Sequence, residues 1–295
     1  MVAQRTMTRF FAAALSAFAL ALPASAQTFL WEVTSLTNKV YLYGTVHAGK
    51  RDWFPLPAAV ENAFVDSSVL VVEADITDDK AMRRSAAAMT YAAPDTLKNH
   101  VPPEQYARLL KLLPRYGLTE AQLAPMKPFM AVSLLVFAEW GRSGFVPSQG
   151  VDGYLIRKAL AEAKPVAEIE GAEMQIKLMD SLTEKQVQEI FRGTLDALEE
   201  DLTTDQIKGL IAAWQAGDPA ALLEVARRYN DKIAGAKEFE EKFIWERHAD
   251  MVTRIEGWLG EPRKRYFIAV GALHLAGPRG LVELLRKRGY IVRQL

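Results

Sequence analysis

The segment KVYLYGTVH, Lys39 to His47, decides the fold. Its β-branched and aromatic residues form an unbroken apolar run, the mark of a strand covered on both faces. The run stops at Gly44-Thr45-Val46-His47, where a polar ring follows a residue without a Cβ. Near the other end RYFIAVGALH, residues 265–274, repeats the design with Gly271-Ala272-Leu273-His274. With 18 glycines and 4 histidines in 295 residues, chance spacing gives well under one Gly-x-x-His. Two of them, each ending a strand-like run, point to one site built from distant parts of the chain. The competing reading is two core histidines, each satisfied by a backbone carbonyl.

Working outward, four further strands are expected at 28–33, 68–74, 164–169 and 290–295, with SLTN (35–38) turning the first pair into a hairpin. LPAAVENAFVDS, before residue 68, has the apolar spacing of a crossover helix. PPEQYARLLKLLPRYG reads as a helix opened by prolines and stopped at Pro114. GVDGYLIRKALAEA and GPRGLVELLRKRG are helices that each lead into a strand. Residues from about 171 to 262 offer no strand and read as a helical cap over one edge of the sheet. The fold class is α/β: a mostly parallel central sheet of four to six strands, flanked by helices and carrying large helical insertions.

The first 26 residues stand apart. Arg5 and Arg9, the apolar run 10–22 and Ala24-Ser25-Ala26 have the pattern of a secretory signal peptide, with the mature domain at 27–295. That apolar run is short for a membrane span of about 20 residues. A periplasmic or secreted location follows, with no membrane span in the mature chain. Without Arg5 and Arg9 the 36 basic residues become 34, against 36 acidic ones, so nothing favours nucleic acid or an anionic membrane. The absence of cysteine excludes disulfides, thiolate metal sites and a cysteine nucleophile.

In an open parallel sheet, functional groups gather at the carboxyl ends of strands. His47, Glu73, Glu170 and His274 all fall there. Two imidazoles with one or two carboxylates form the ligand set of a divalent ion with an open position. His47, Glu73 and His274 are the expected metal ligands, for Zn, Mn or Co (Fe is also chemically reasonable). Glu170 is the expected activator of water. Taken alone, Glu73 could be a solvated strand-end carboxylate, and Glu170 could belong to the start of the next helix. Arg247 shares a stripe with Phe239, Phe243, Ile244, Met251, Ile255 and Trp258, so it needs a carboxylate partner, unless it snorkels from the stripe's edge. His248 is expected nearer the margin in a structural role, His100 in an exposed loop, and Asp152 as an ordinary acidic residue of a helix start, unless it faces the same crevice. HExxH, G-x-S-x-G, Walker A and GxGxxG are all absent.

These segments, together with VLVVEAD, the stretch from Gly150 to Gln175 and FIWERHADM, resemble the TraB/GumN family, which is similar to the Tiki-type metalloproteases. The resemblance implies an α/β fold related to erythromycin-esterase-like and ChaN-like proteins. In the Tiki branch it implies divalent-metal-dependent proteolysis that needs both Gly-x-x-His motifs and an acidic residue. It maps the motif histidines to His47 and His274 and the strand-end acid to Glu73, with Glu170 and Arg247 at further family positions. His248 departs from the family's Glu-Arg-Asn. The expectation is an exported metal-dependent hydrolase acting on a peptide or protein substrate. The rivals are a non-catalytic module for haem or another small ligand, and a degenerate envelope or exopolysaccharide-associated scaffold.

Overall fold

The computed structural model describes residues 27–295, so the expected export signal at 1–26 lies outside the described residues. All six expected strands form, and they share one sheet: β1 (Leu30–Thr34), β2 (Lys39–Thr45), β3 (Val69–Val72), β4 (Val166–Glu168), β5 (Tyr266–Gly271) and β6 (Ile291–Gln294). Their order is β4-β3-β5-β2-β1-β6. The four neighbours β4, β3, β5 and β2 run parallel, while β1 is antiparallel to both β2 and β6. Ser35 and Asn38 close the β1–β2 turn with a 2.8 Å backbone hydrogen bond.

The sequence explains this order. Val40 to Thr45 and Tyr266 to Val270 are buried residue by residue, because helices cover both sides of the central strands. Helix Ala58–Asp66 carries the crossover from β2 to β3. It turns Val60, Ala63 and Phe64 inward, and the Phe64 ring meets Phe267 edge-on at 5.6 Å. The edge strand β6 alternates exposed and half-buried positions.

Between β4 and β5 the described residues form helices and no strand. Part of this stretch joins the main core: Trp214, Leu222, Leu223, Met251 and Ile255 pack with the sheet residues. A second core is pooled from both sides of β4, with Leu109, Leu135 and Leu195 drawn from helices Pro103–Leu112, Pro128–Arg142 and Glu184–Glu199. The Trp214 indole N–H donates to the Gly44 carbonyl at 2.8 Å, tying helix Leu202–Gln215 to the end of β2.

Strand register brings the carboxyl ends level. Thr45 pairs with Gly271, and Val72 pairs with both Ala269 and Glu168. The residues just beyond these pairs therefore emerge side by side.

Candidate active site

His47, Glu73, Glu170 and His274 follow β2, β3, β4 and β5 within a few residues, and these are the four adjacent parallel strands. A Cβ built on Gly271 would lie 3.3 Å from Glu73 Oε1, 3.6 Å from His274 Cδ2 and 3.8 Å from His47 Nε2. One empty side-chain position is thus ringed by both motif histidines and the strand-end acid. The backbone of Gly271 is unstrained, with φ −50°, so room and not left-handed geometry is what this position needs. Gly171 differs: its φ of +92° suits glycine, and it lets the chain turn after Glu170 while its N–H donates to the Glu73 carbonyl at 2.8 Å.

Arg247 is the hub. Its guanidinium has five N–H bonds, and each has an acceptor. Nε donates to Glu170 Oε1 at 2.8 Å, and Nη2 donates to Glu73 Oε2 at 2.5 Å and to Glu170 Oε2. Nη1 donates to the Phe243 carbonyl at 2.5 Å and faces His274 Nε2 at 3.2 Å. Only 11% of this side chain is exposed. The Phe243 carbonyl belongs to a π-helical turn, Glu241–Trp245, whose wider winding directs it at Arg247. Two carboxylates against one guanidinium leave the triad one negative charge in excess.

The groups around Glu73 set its charge state. Burial works to raise its carboxyl, but the facing His274 and Arg247 outweigh it and hold the group down to about 2. The Gly271 N–H also donates to its Oε1, at 2.7 Å. Glu170 is 7% exposed and has both oxygens turned to Arg247. Both oxygens thereby hold the Arg247 guanidinium in place.

Each histidine is oriented from behind. His47 Nδ1 lies 2.9 Å from Asp152 Oδ2, and the Thr45 hydroxyl donates to Oδ1 at 2.6 Å. Asp152 reaches both because helix Val151–Ala161 starts against β2, its Val151 N–H donating to the Val46 carbonyl at 3.0 Å. The Asp152 charge raises the His47 imidazole to about 9. His47 is the open member of the site, with 60% of its side chain exposed.

His274 is buried, and burial lowers its pKa to about 3. Its Nδ1 lies 2.8 Å from His248 Nε2, and His248 Nδ1 lies 2.7 Å from the Arg279 carbonyl. Burial also lowers His248, to about 4, so both rings are neutral near pH 7. A carbonyl can only accept, so His248 carries its proton on Nδ1 and accepts on Nε2. His274 must therefore donate from Nδ1, which leaves its Nε2 lone pair to accept from Arg247 Nη1 at 3.2 Å.

The structure corrects one sequence reading here. His248 is 2% exposed, not marginal. It precedes Met251 by three residues and Ile255 by seven, a helical spacing that could have placed it on the buried stripe. Of the two readings open to Asp152, the structure favours the second: it is a partner of His47, and its sequence signal was its place within GVDGY at a helix start. His100 sits apart, stacked on Tyr91 at 4.0 Å and bonded to Asp95 at 2.7 Å.

Above this floor lies a crevice of about 380 Å³. Its walls come from helices Pro128–Arg142, Ala172–Asp180 and Leu202–Gln215 and from the π-helical turn. No helix among the described residues is long and apolar enough to cross a membrane.

The residue types around Gly271, two imidazoles and one carboxylate, are those that bind divalent ions, and here His274 Nε2 faces Arg247 Nη1. Among the described residues no group of three or more His, Cys, Asp or Glu side chains is placed to hold a metal ion. Arg247 occupies Glu73 Oε2 and faces His274 Nε2.

The sequence profile of the TraB/PrgY/gumN family matches residues 29–294. Uncharacterized protein YbaP of Escherichia coli (strain K12) is 23% identical over 265 residues, covering 88% of this chain and 93% of that protein. Metalloprotease TIKI1 of Danio rerio is 26% identical over 315 residues, covering 90% of this chain and 62% of its own length. For the metalloprotease TIKI homolog of Nematostella vectensis the identity is 23%, over 90% of this chain and 66% of that protein. No solved structure matches the chain. With both Gly-x-x-His motifs, the Glu73 strand and the Arg247 helix inside the matched segment, this chain belongs to the TraB/PrgY/gumN family.

Proposed function

We propose that this protein is an exported, divalent-metal-dependent hydrolase of peptide bonds. The observation that carries the reading is the meeting of His47 Nε2, Glu73 Oε1 and the His274 ring around the empty side-chain position of Gly271. The TIKI relatives, which bear the name metalloprotease, support the same class of chemistry. In this reading His47, Glu73 and His274 hold the ion. A bound divalent ion, whether Mn, Co or Zn, supplies Lewis acidity to a carbonyl and lowers the pKa of water.

The chain's own residues do the rest. Asp152 fixes the His47 ring, and the Arg279 carbonyl, acting through His248, fixes the His274 tautomer. Glu170 keeps Arg247 at the floor, where the guanidinium holds the Glu73 carboxylate in position. Because His47 is protonated at neutral pH before it binds metal, binding must release a proton. Apolar walls rise from the charged floor, with His47 left open to solvent. The signal-like residues 5–26 support export to the periplasm or beyond. A haem-binding role has less support, because the buried His274 ring faces Arg247 and Glu73 and not an open apolar slot.

The test is metal analysis of the purified chain from Gln27 onward, with peptide cleavage assayed with and without chelator. Stoichiometric binding of a divalent ion, and cleavage abolished by chelator and by His47→Ala, is the expected result. A protein that binds no divalent ion and cleaves no peptide overturns the reading.

A further inference from the structure

The crevice joins a charged floor to walls of one chemical character. Val136, Phe137, Leu178, Leu210, Phe239 and Phe243 line it, and among the described residues Gln175 is the only polar one on the walls, with no lysine or acidic side chain there. On the floor, Arg247 has every N–H engaged and the Arg247, Glu73 and Glu170 triad is one negative charge in excess. A charged substrate side chain held against these walls would lose its water and find no partner there, which is costly. An uncharged apolar side chain would instead bury its surface favourably.

Two features tie the walls to the floor. Phe239 and Phe243 stack at 4.4 Å, and Phe129 stacks behind Phe243 at 5.3 Å, so this wall is a supported ladder of rings. Phe243 also acts twice: its ring lines the crevice and its carbonyl anchors Arg247 Nη1. A side chain against that ring is thereby placed at a fixed distance from the reactive groups. The volume, about 380 Å³, is more than twice that of a cavity of about 150 Å³ that binds benzene. It has room for one large side chain and the adjoining peptide unit.

We propose that the substrate is a peptide segment bearing a bulky uncharged side chain, aliphatic or aromatic, which enters this crevice next to the bond over the floor. The proposal rests on the hydrolase reading and adds to it the class of substrate. Charged and very small residues at that position are rejected, the first by desolvation and the second by loss of apolar contact.

The test uses fluorescent hexapeptides, blocked at both ends, that carry Leu, Phe, Gly, Asp or Lys at one central position. Binding to the purified chain from Gln27 onward is followed by polarisation without metal, and cleavage is followed after adding Mn, Co or Zn. The Leu and Phe peptides are expected to bind at least about tenfold more tightly than the Gly, Asp and Lys peptides. Phe137 is 40% exposed, so Phe137→Lys should keep the fold, checked by circular dichroism; it should weaken the Phe peptide and strengthen the Asp peptide. That binding preference without cleavage under any ion upholds the side-chain preference of the crevice, and overturns both the hydrolase reading and the naming of the peptide as a substrate. Cleavage with no side-chain preference, or with preference for charged residues, overturns the proposal and leaves the hydrolase reading standing. Displacement of the probes by fatty acids, with indifference to the central residue, also overturns it by naming an acyl chain as the occupant.

Discussion

His248 Nε2 accepts a proton from His274 Nδ1 across 2.8 Å, and the Arg279 carbonyl fixes the direction of that bond. His248→Leu removes both functions and strands a buried N–H and a carbonyl, at a cost of roughly 1–3 kcal/mol. It should also weaken divalent-ion binding by about 10- to 100-fold. His248→Asn keeps one donor and one acceptor and should lose less of both. Thermal unfolding and metal titration of the two variants measure the difference; equal losses would show that the bond orientation is immaterial.

Arg247 neutralises one of two buried carboxylates. Arg247→Ala should destabilise the protein by roughly 3–5 kcal/mol, since it leaves Glu73 and Glu170 facing each other uncompensated. Adding Glu170→Gln to that variant should restore part of the loss. Denaturant melts of the wild type, the single variant and the double variant complete the comparison, and an additive double variant would contradict the coupling.

Acid should unfold the protein from an unusually high pH. Burial holds His248 to about 4 and His274 to about 3, below the ordinary histidine value of 6.5. The unfolded chain then binds more protons in this window, so stability falls as pH drops from 6.5 towards 3. Glu73, held to about 2 against its ordinary 4.5, acts in the same direction lower down, its stabilisation being lost as pH falls from 4.5 to 2. Melting temperatures from pH 7 to pH 4 should decline, and His248→Asn should flatten the slope between 6.5 and 4. An unchanged slope would refute the assignment.

Asp152→Asn takes the anion away from His47. The imidazole, raised to about 9 by that carboxylate, should titrate nearer 6.5. Nuclear magnetic resonance of the His47 ring across pH 5 to 10 reads this directly.

Gly271→Ala puts a methyl group among Glu73, His274 and His47 at 3.3 to 3.8 Å while leaving the backbone unstrained. It should change the melting temperature little, yet lower divalent-ion binding at least about tenfold. Full metal binding by a well-folded Gly271→Ala protein would place the ion elsewhere.

The strands were legible because burial on both faces leaves a continuous apolar run, and Val40–Tyr43 and Tyr266–Val270 show one. His47, Glu73 and His274 stood out because each follows such a run within a few residues. Arg247 could be placed from its stripe, although the π-helical turn just before it shifts the winding that the even spacing assumed. The walls left no comparable trace. Apolar residues on helices Pro128–Arg142 and Leu202–Gln215 face either a core or a crevice with the same periodicity.

By itself the sequence determined which side chains stand at the ends of the parallel strands, because an apolar pattern with period and length fixes where each strand stops. Only the tertiary structure decided what those side chains do to one another. The strand order β4-β3-β5-β2 sets four termini in a row. The direction of the His248–His274 bond, the sharing of Arg247 between two carboxylates and the pairing of Asp152 with His47 depend on distances of about 3 Å between residues far apart in the chain. Hydrogen bonds and charges act at that range, and a linear pattern carries no record of it.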